Sequence, residues 1–513
     1  EPAEPAEPRL DRTVFGVSLV VLLVTSAALL VDPVASLRGL KGIHKVMTHD
    51  LGFLFLAFVF GGLIWLLWLS MSRFGDVVLG PEGEPPVYSN VSWFGMLFCA
   101  GIGSNLLYFG TTEWMGYALV PPPISGAVAG SPEALDWAGA MSFFHWGISA
   151  WGVYAMATIP IAYTLHVKRS TTLRVSTACE EVLGDWVNGP LGKLLDILFI
   201  IGLVGGVGTS LGIGVPMLSA VASDLFGVER GTNLDIGILV GLTAVFAYSV
   251  SAGLDKGIKL LSDINVVLAI AFLAFVCLFG PTSFIVNQAF DSLALMFANF
   301  VEMSLRTDAG NTTNFAADNT VFFWAWWLSW APFMGLFVAR ISGGRTIRQV
   351  IVGTVLGGSV ACWVGFSILG HSTMALVNEG YQGLTTLVSA AQAAGTGVDA
   401  PQVVVELLSA QPLSVAVSAL FFILSFIFVA TSLDSAAFTL ASAASQDLPP
   451  EGQPPRWHRL VWAFVLAGIA FTLMQAGGLQ VLQAASVIAG LPLVAVMFVM
   501  MRSVTKSLAK RGD

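Results

Sequence analysis

Apolar runs of membrane-crossing length recur along the whole chain, separated by short polar connections. A helix needs about 20 apolar residues to cross a hydrocarbon core. Twelve runs meet that need: 13–31, 51–71, 91–120, 143–165, 194–221, 234–250, 265–287, 320–339, 350–370, 413–443, 459–475 and 482–500. The stretch 288–305 is too polar to cross. Its apolar Leu293, Leu295, Phe297, Phe300 and Val301 predict an amphipathic helix lying at the outer interface. Twelve is even, so both termini share one side. Arg38, Lys41, Lys45, Arg230 and Arg306 fall on one side of this plan, and the other 18 of the 23 basic residues fall on the opposite side. The positive-inside rule then puts both termini in the cytoplasm. It puts the long connections 121–142 and 371–412, which contain no Lys or Arg, outside.

Composition agrees with this plan and narrows it. Of 513 residues, 56% are hydrophobic and 11% charged, with a mean hydropathy of +0.80. A soluble domain carries about 25% charged residues, so an all-α membrane protein is expected. The net charge of −9 and the lack of a basic tract give no reason to expect a nucleic-acid partner. Cys99, Cys179, Cys277 and Cys362 have neither metal spacing nor a disulfide framework. No nucleophile–base pair, metal motif or phosphate loop is present, so no enzyme activity and no cofactor are expected. The tail Glu-Pro-Ala-Glu-Pro-Ala-Glu-Pro predicts disorder over 1–12. It lacks the basic start of a cleavable signal, so the first run is expected to be a retained helix.

Several spans carry chemistry that lipid does not explain. Trp324, Trp326, Trp327 and Trp330 fall within seven positions of the eighth run. Tryptophan ordinarily sits at the membrane interface. A cluster at mid-span fits a box of π-faces around a cation without N–H donors, worth about 2 kcal/mol or more when desolvated. Packing is the competing reading for any single indole. Trp146, Trp151 and Tyr154 on the fourth run form a second stripe that could close the box against Trp327. His145 beside them reads as a hydrogen-bonded structural histidine. The third run contains Gly101-Ile102-Gly103-Ser104-Asn105, poor helix material at mid-depth. Broken helices at that depth line cavities in transporters; a small-residue packing seam is the alternative. The glycine-rich fifth run, Gly202 to Gly214, reads equally well as packing or site. Thr431, Ser432, Asp434 and Ser435 in the tenth run fit a cation site or a polar helix contact.

These residues resemble the betaine/carnitine/choline transporter family. The likeness rests on Trp-Ala-Trp-Trp-Leu-Ser-Trp at 324–330, Ala-Arg-Ile-Ser-Gly-Gly-Arg-Thr at 339–346, Gly-Thr-Thr-Glu at 110–113, and His145-Trp146 with Trp151 and Tyr154. It covers residues 13–505. It implies two peripheral helices (13–90) and then a LeuT-like inverted five-plus-five repeat. The halves would be 91–287 (spans three to seven) and 320–500 (spans eight to twelve), joined by a periplasmic amphipathic helix and loop at 288–319. A short cytoplasmic tail, 501–513, would follow. The likeness also implies a homotrimer in the bacterial inner membrane and a box of Trp146, Trp151, Tyr154 and Trp327. Trp330, Trp326, Ser104, Asn105 and Met334 complete the expected substrate contacts.

Departures from the family pattern shape the remaining expectations. Choline-carrying members place an acid where Asn105 stands, so a neutral Asn favours a zwitterion. Leu203 and Val207 stand where sodium-coupled betaine carriers have threonines, so that sodium site is expected to be lost. Sodium-independent carnitine exchangers have an arginine where Asn265 stands and lack the serine at Ser432. A second sodium site is therefore expected at Thr431 and Ser432, with backbone carbonyls near Cys99 and Ile102. The expectation is sodium-coupled import of a betaine, carnitine or dimethylsulfoniopropionate type of compound by alternating access. The rival readings are a sodium-independent carnitine-type exchanger and proton-coupled choline uptake.

Overall fold

The computed structural model describes residues 9–511 apart from 82, 84, 102, 171, 173, 253–254, 310–312, 447, 449–451 and 478. For residues 99, 101, 251–252, 255–262, 477, 479–480 and 482–483 it describes the backbone alone. The described residues form twenty α-helices. Helices α1 (Arg12–Val31) and α3 (Gly52–Met71) flank a short helix, α2 (Pro33–Lys45). The third crossing is split into α4 (Asn90–Gly101) and α5 (Ser104–Leu119). The fourth is α6 (Pro132–Trp146) and α7 (Ile148–Ala162), hinged at Gly147. The short α8 (Glu180–Leu183) precedes three long helices, α9 (Pro190–Phe226), α10 (Thr232–Ala252) and α11 (Asp255–Phe279).

The second half repeats the pattern of long crossings with short connectors. After α12 (Thr282–Leu305) and α13 (Val321–Ile341), the short α14 (Ile347–Val352) passes through a wide turn into α15 (Gly358–Asn378). Two short helices, α16 (Gln382–Ala394) and α17 (Ala400–Ser409), lead into α18 (Ser414–Ala443), α19 (Arg456–Gly477) and α20 (Leu479–Arg511). The described chain is thus an all-α, multi-span membrane fold. Eleven of its helices are long and apolar enough to cross a membrane.

Topology removes one of those eleven and restores two crossings. Helix α11 arrives at the end of the bundle opposite the termini, and α13 departs from that same end. Helix α12 joins them, with its first turns beside Asp136 and His371 and its last beside Pro122 and Arg306. Both of its ends therefore lie at one end of the bundle, and it does not cross despite its hydropathy. The split third crossing and the apolar stretch Asp263–Phe279 complete a set of twelve.

The boundaries correct three expectations. The seventh crossing stops at Phe279, because Gly280-Pro281 ends the helix, and 282–287 belongs to α12. Residues 9–12, expected within a disordered N-terminus, are ordered. Arg9–Leu10 pair antiparallel with Ser445–Gln446, and Asp11 caps α1 by accepting the amides of Thr13 and Val14. Residues 501–511, expected as a tail, continue α20 as helix. They are held there because Lys510, Lys506, Ser507 and Ser503 all reach Glu181 on α8.

One end of the bundle gathers the basic loops. Arg174 bonds Asp11 at 2.9 Å and lies 3.6 Å from Asp196, and Arg348 pairs with Asp76. The first and last described stretches, at Arg9–Leu10 and Lys506–Lys510, lie here. At the centre α13 packs on α7, α9 and α20, so its aromatic run is buried on every side. Helix α1 is peripheral: it buries Val14, Ser18, Leu22 and Leu29 and exposes Val20, Val24 and Val31, a pattern suited to lipid.

Candidate functional site

A cavity of about 550 Å³ runs from the middle of the bundle to its terminus-bearing end. Its inner walls are Trp146, Trp151, Tyr154, Trp327 and Trp330, each no more than 8% exposed. Its outer walls include exposed residues, Ser92, Gly95, Asp263 and Ser435, and this is where it opens. Helical spacing explains the inner lining. Trp327, Trp330, Met334 and Phe337 lie three, four and three residues apart and share one face of α13. Trp151 and Tyr154 are three apart on α7 in the same way.

The rings stand nearly perpendicular to one another. Trp146 meets Trp327 at a centroid distance of 4.8 Å and 78°. Tyr154 meets Trp327 at 5.9 Å and 84°, and Trp151 meets Tyr154 at 5.4 Å and 86°. Such an arrangement makes walls instead of a stack. Three indole N–H groups are taken up by the protein. Trp146 Nε1 donates to Glu113 at 2.6 Å, Trp327 Nε1 to the His145 carbonyl at 2.9 Å, and Trp151 Nε1 to Cys362 Sγ at 3.4 Å. Those three rings therefore offer a guest π-surface and no donor. Trp151 is held closely: its ring lies on Gly358, where a Cβ would overlap it.

Trp330 differs from its neighbours. Its Nε1 is buried and has no hydrogen-bond partner. Its ring edge lies over Gly206 of α9, and it lines the same cavity as the start of α5, where Gly103 has extended backbone (φ −129°, ψ −177°). Helix α5 begins at Ser104, so its first amides and the positive end of its dipole face the cavity. Asn105 donates from Nδ2 to Ser210 at 2.9 Å, while its carbonyl oxygen is buried without a partner. One end of the cavity is thus aromatic, and the other offers donors and positive potential.

The sequence-predicted residues divide as follows. Trp146, Trp151, Tyr154, Trp327, Trp330, Ser104, Asn105, Met334, Thr431 and Ser432 converge on the cavity. Trp326 does not. One position off the lining face of α13, it stacks on Trp327 and Phe322 and donates to the Gly206 carbonyl at 3.3 Å. With Phe109 and Phe323 it forms an aromatic layer between the box and the far end of the bundle. Ile102 lies outside the described residues, as does the side chain of Cys99. Thr431 donates its hydroxyl hydrogen to the Ile427 and Phe428 carbonyls, at 2.9 and 3.2 Å. Asp434 is paired with Arg459 at 2.8 Å. Asn265 is buried with both amide atoms unpartnered. Sequence reasoning missed Cys362, Gly358 and Phe428, whose roles come from a partner helix and leave no local motif.

Comparison with known proteins gives the same direction throughout. The family model described as "BCCT, betaine/carnitine/choline family transporter" matches residues 13–513. The glycine betaine transporter OpuD of Bacillus subtilis is 34% identical over 502 residues, 97% of this chain and 95% of that one. The ectoine/hydroxyectoine transporter of Virgibacillus pantothenticus is 34% identical over 505 residues, 98% and 97% of the two chains. The high-affinity choline transport protein of Escherichia coli K12 is 33% identical over 448 residues, 87% of this chain and 64% of that one.

Proposed function

Because this chain belongs to the betaine/carnitine/choline transporter family, a membrane transporter and not an enzyme, we propose that it imports a zwitterionic quaternary-ammonium or sulfonium compound by alternating access. The observation that carries this reading is the fate of the indole N–H groups. Trp146, Trp151 and Trp327 spend theirs on protein acceptors and turn ring surface to the cavity. A methylated onium group has no N–H to donate and binds such surface through the ring quadrupole. The start of α5, with its unpaired first amides, suits the carboxylate at the other end of a betaine. A neutral Asn105 at that end favours a zwitterion over choline.

Sodium enters this proposal as co-substrate. Thr431 and Ser432 of α18 line the same cavity as Gly103 and Ser104 of the broken crossing. The Thr431 hydroxyl hydrogen is spent on backbone carbonyls, which leaves its oxygen lone pairs for a hard cation. One sodium bridging the third and tenth crossings would bias the protein toward the outward-open state, by as much as its affinities for the two states differ. In the same proposal 91–287 and 320–500 are the two inverted halves, three copies assemble in the inner membrane, and the terminus-bearing end faces the cytoplasm.

Radiolabelled uptake into proteoliposomes tests this reading. Glycine betaine, carnitine, choline and dimethylsulfoniopropionate would each be offered with and without an inward sodium gradient. Concentrative uptake of a zwitterion only with sodium is expected. Uptake indifferent to sodium but dependent on internal substrate would make the protein an exchanger. Uptake of choline driven by a proton gradient would overturn both the sodium and the zwitterion assignments.

A further inference from the structure

Directly behind the box lies a buried hydrogen-bond chain that substrate contact leaves unused. Glu113 and Tyr117 stand one turn apart on α5, and Glu113 Oε1 accepts the Tyr117 hydroxyl at 2.6 Å. Its Oε2 accepts the Trp146 indole at 2.6 Å. The Tyr117 oxygen also lies 2.7 Å from His145 Nδ1, and His145 Nε2 lies 3.0 Å from the Thr320 hydroxyl. The chain therefore links α5, α6 and the segment that opens α13.

Counting hydrogens shows what this chain holds constant. Tyr117 has one hydroxyl hydrogen and two neighbours that want it. If that hydrogen goes to Glu113, His145 donates from Nδ1 to Tyr117, and Thr320 donates to Nε2. If Glu113 itself carries a proton on Oε1, every link reverses and His145 donates to Thr320. The imidazole is neutral in both arrangements. In both, Oε2 remains the acceptor for the Trp146 N–H. A glutamine at 113 reproduces the second arrangement, with its amide N–H₂ toward Tyr117 and its oxygen toward Trp146.

We infer that Glu113 is a positioning residue for the onium site, acting through the Trp146 N–H to hold that ring edge-to-face against Trp327. The inference rests on the onium-box reading of the cavity. Without the acceptor, a buried indole N–H is left unpaired, and the ring turns to find another partner. Glu113 lies outside the cavity lining, so its effect on substrate runs through Trp146.

The test is equilibrium binding of radiolabelled glycine betaine to the purified full chain, with a double-mutant cycle. E113Q is expected to bind within about threefold of wild type, and E113A about tenfold more weakly. In a Trp146→Phe background, E113A should add less than about threefold, since the group it positions is gone. Losses that multiply in the double variant would overturn the inference, as would E113Q binding as weakly as E113A. Should E113A not fold, Tyr117→Phe decides alongside E113Q, because each keeps an acceptor for Trp146. Both should stay within about threefold, and a loss of about tenfold in both would place the effect elsewhere than the Trp146 bond. A wild-type chain that bound no onium compound would remove the box reading itself, whereas normal wild-type binding with an additive cycle removes only the role of Glu113.

Discussion

At the residue scale, the site depends on which atoms of an aromatic ring are left for the ligand. Trp327 is the common wall, in edge contact with both Trp146 and Tyr154. Replacing it with leucine removes the face and keeps an apolar volume. Trp327→Leu should therefore raise the KM for a betaine-type substrate by about thirtyfold, the equivalent of about 2 kcal/mol of desolvated cation–π contact. The protein should still run as a folded species in size-exclusion chromatography, and an unchanged KM would sink the assignment. Gly358 gives a second, less direct check. An added methyl would overlap the Trp151 ring, and overpacking of this kind costs about 1–3 kcal/mol. Gly358→Ala should weaken binding by displacing Trp151, a change visible as an altered tryptophan emission spectrum. Neither role is written in local sequence. Four tryptophans in seven residues announced a cluster, but helix rotation alone decided that Trp327 and Trp330 line the cavity while Trp326 backs it.

At the element scale, the breaks were legible and the crossing count was nearly so. Gly101-Ile102-Gly103-Ser104-Asn105 reads as poor helix, and the third crossing does divide there, α4 ending at Gly101 and α5 beginning at Ser104, because glycines and small polar side chains give the backbone no reason to stay helical. Helix α12 was harder. The polarity of 288–305 predicts an interfacial helix, whereas the hydropathy of the whole of α12 would admit a crossing, and the positions of α11 and α13 place it along one end. The boundary at Gly280-Pro281 was readable in principle, but an unbroken apolar run on either side concealed it. The order at the N-terminus was not readable either, because it comes from a strand more than 400 residues away, at Ser445–Gln446. Asp11 anchors that junction. Burial alone would raise its carboxyl, yet bonds from Gln446, Arg174 and the Val14 amide carry it down to about 2. A lowered carboxylate contributes stability above its unfolded value and loses it as pH falls through its folded value. Asp11→Asn should therefore lower the unfolding temperature in detergent at neutral pH. The gap should begin to close below the ordinary value of 3.8 and vanish near pH 2. A gap that stayed constant across that range would show that the carboxylate charge does not anchor the junction, since Asn keeps the cap.

At the scale of the whole molecule, the question is what holds the far end shut while the terminus-bearing end is open. Two features span that region. One is the ion pair between Arg230, after α9, and Asp399, at the head of α17, with N···O distances of 2.8 and 3.2 Å. The other is the aromatic layer of Phe109, Phe323 and Trp326 above the box. Their magnitudes differ. The ion pair is part-exposed, 33% and 48% on its two sides, and such pairs are worth about 0–1 kcal/mol. That is a shift of about fivefold at most in an equilibrium between two states. The ring of Phe109 is 8% exposed and touches Trp146, Phe323 and Trp326 within 5.4–5.7 Å. Truncating a buried phenylalanine costs about 3–5 kcal/mol in the state that buries it. Phe109→Ala should therefore open the far end much more than Asp399→Ala does. Single cysteines placed beside each feature and labelled with a membrane-impermeant maleimide would measure this. Labelling should rise by about fivefold or less in Asp399→Ala and by well over tenfold in Phe109→Ala. The reverse order would mean that the surface latch, and not the aromatic layer over the substrate box, sets which side of the membrane the cavity meets.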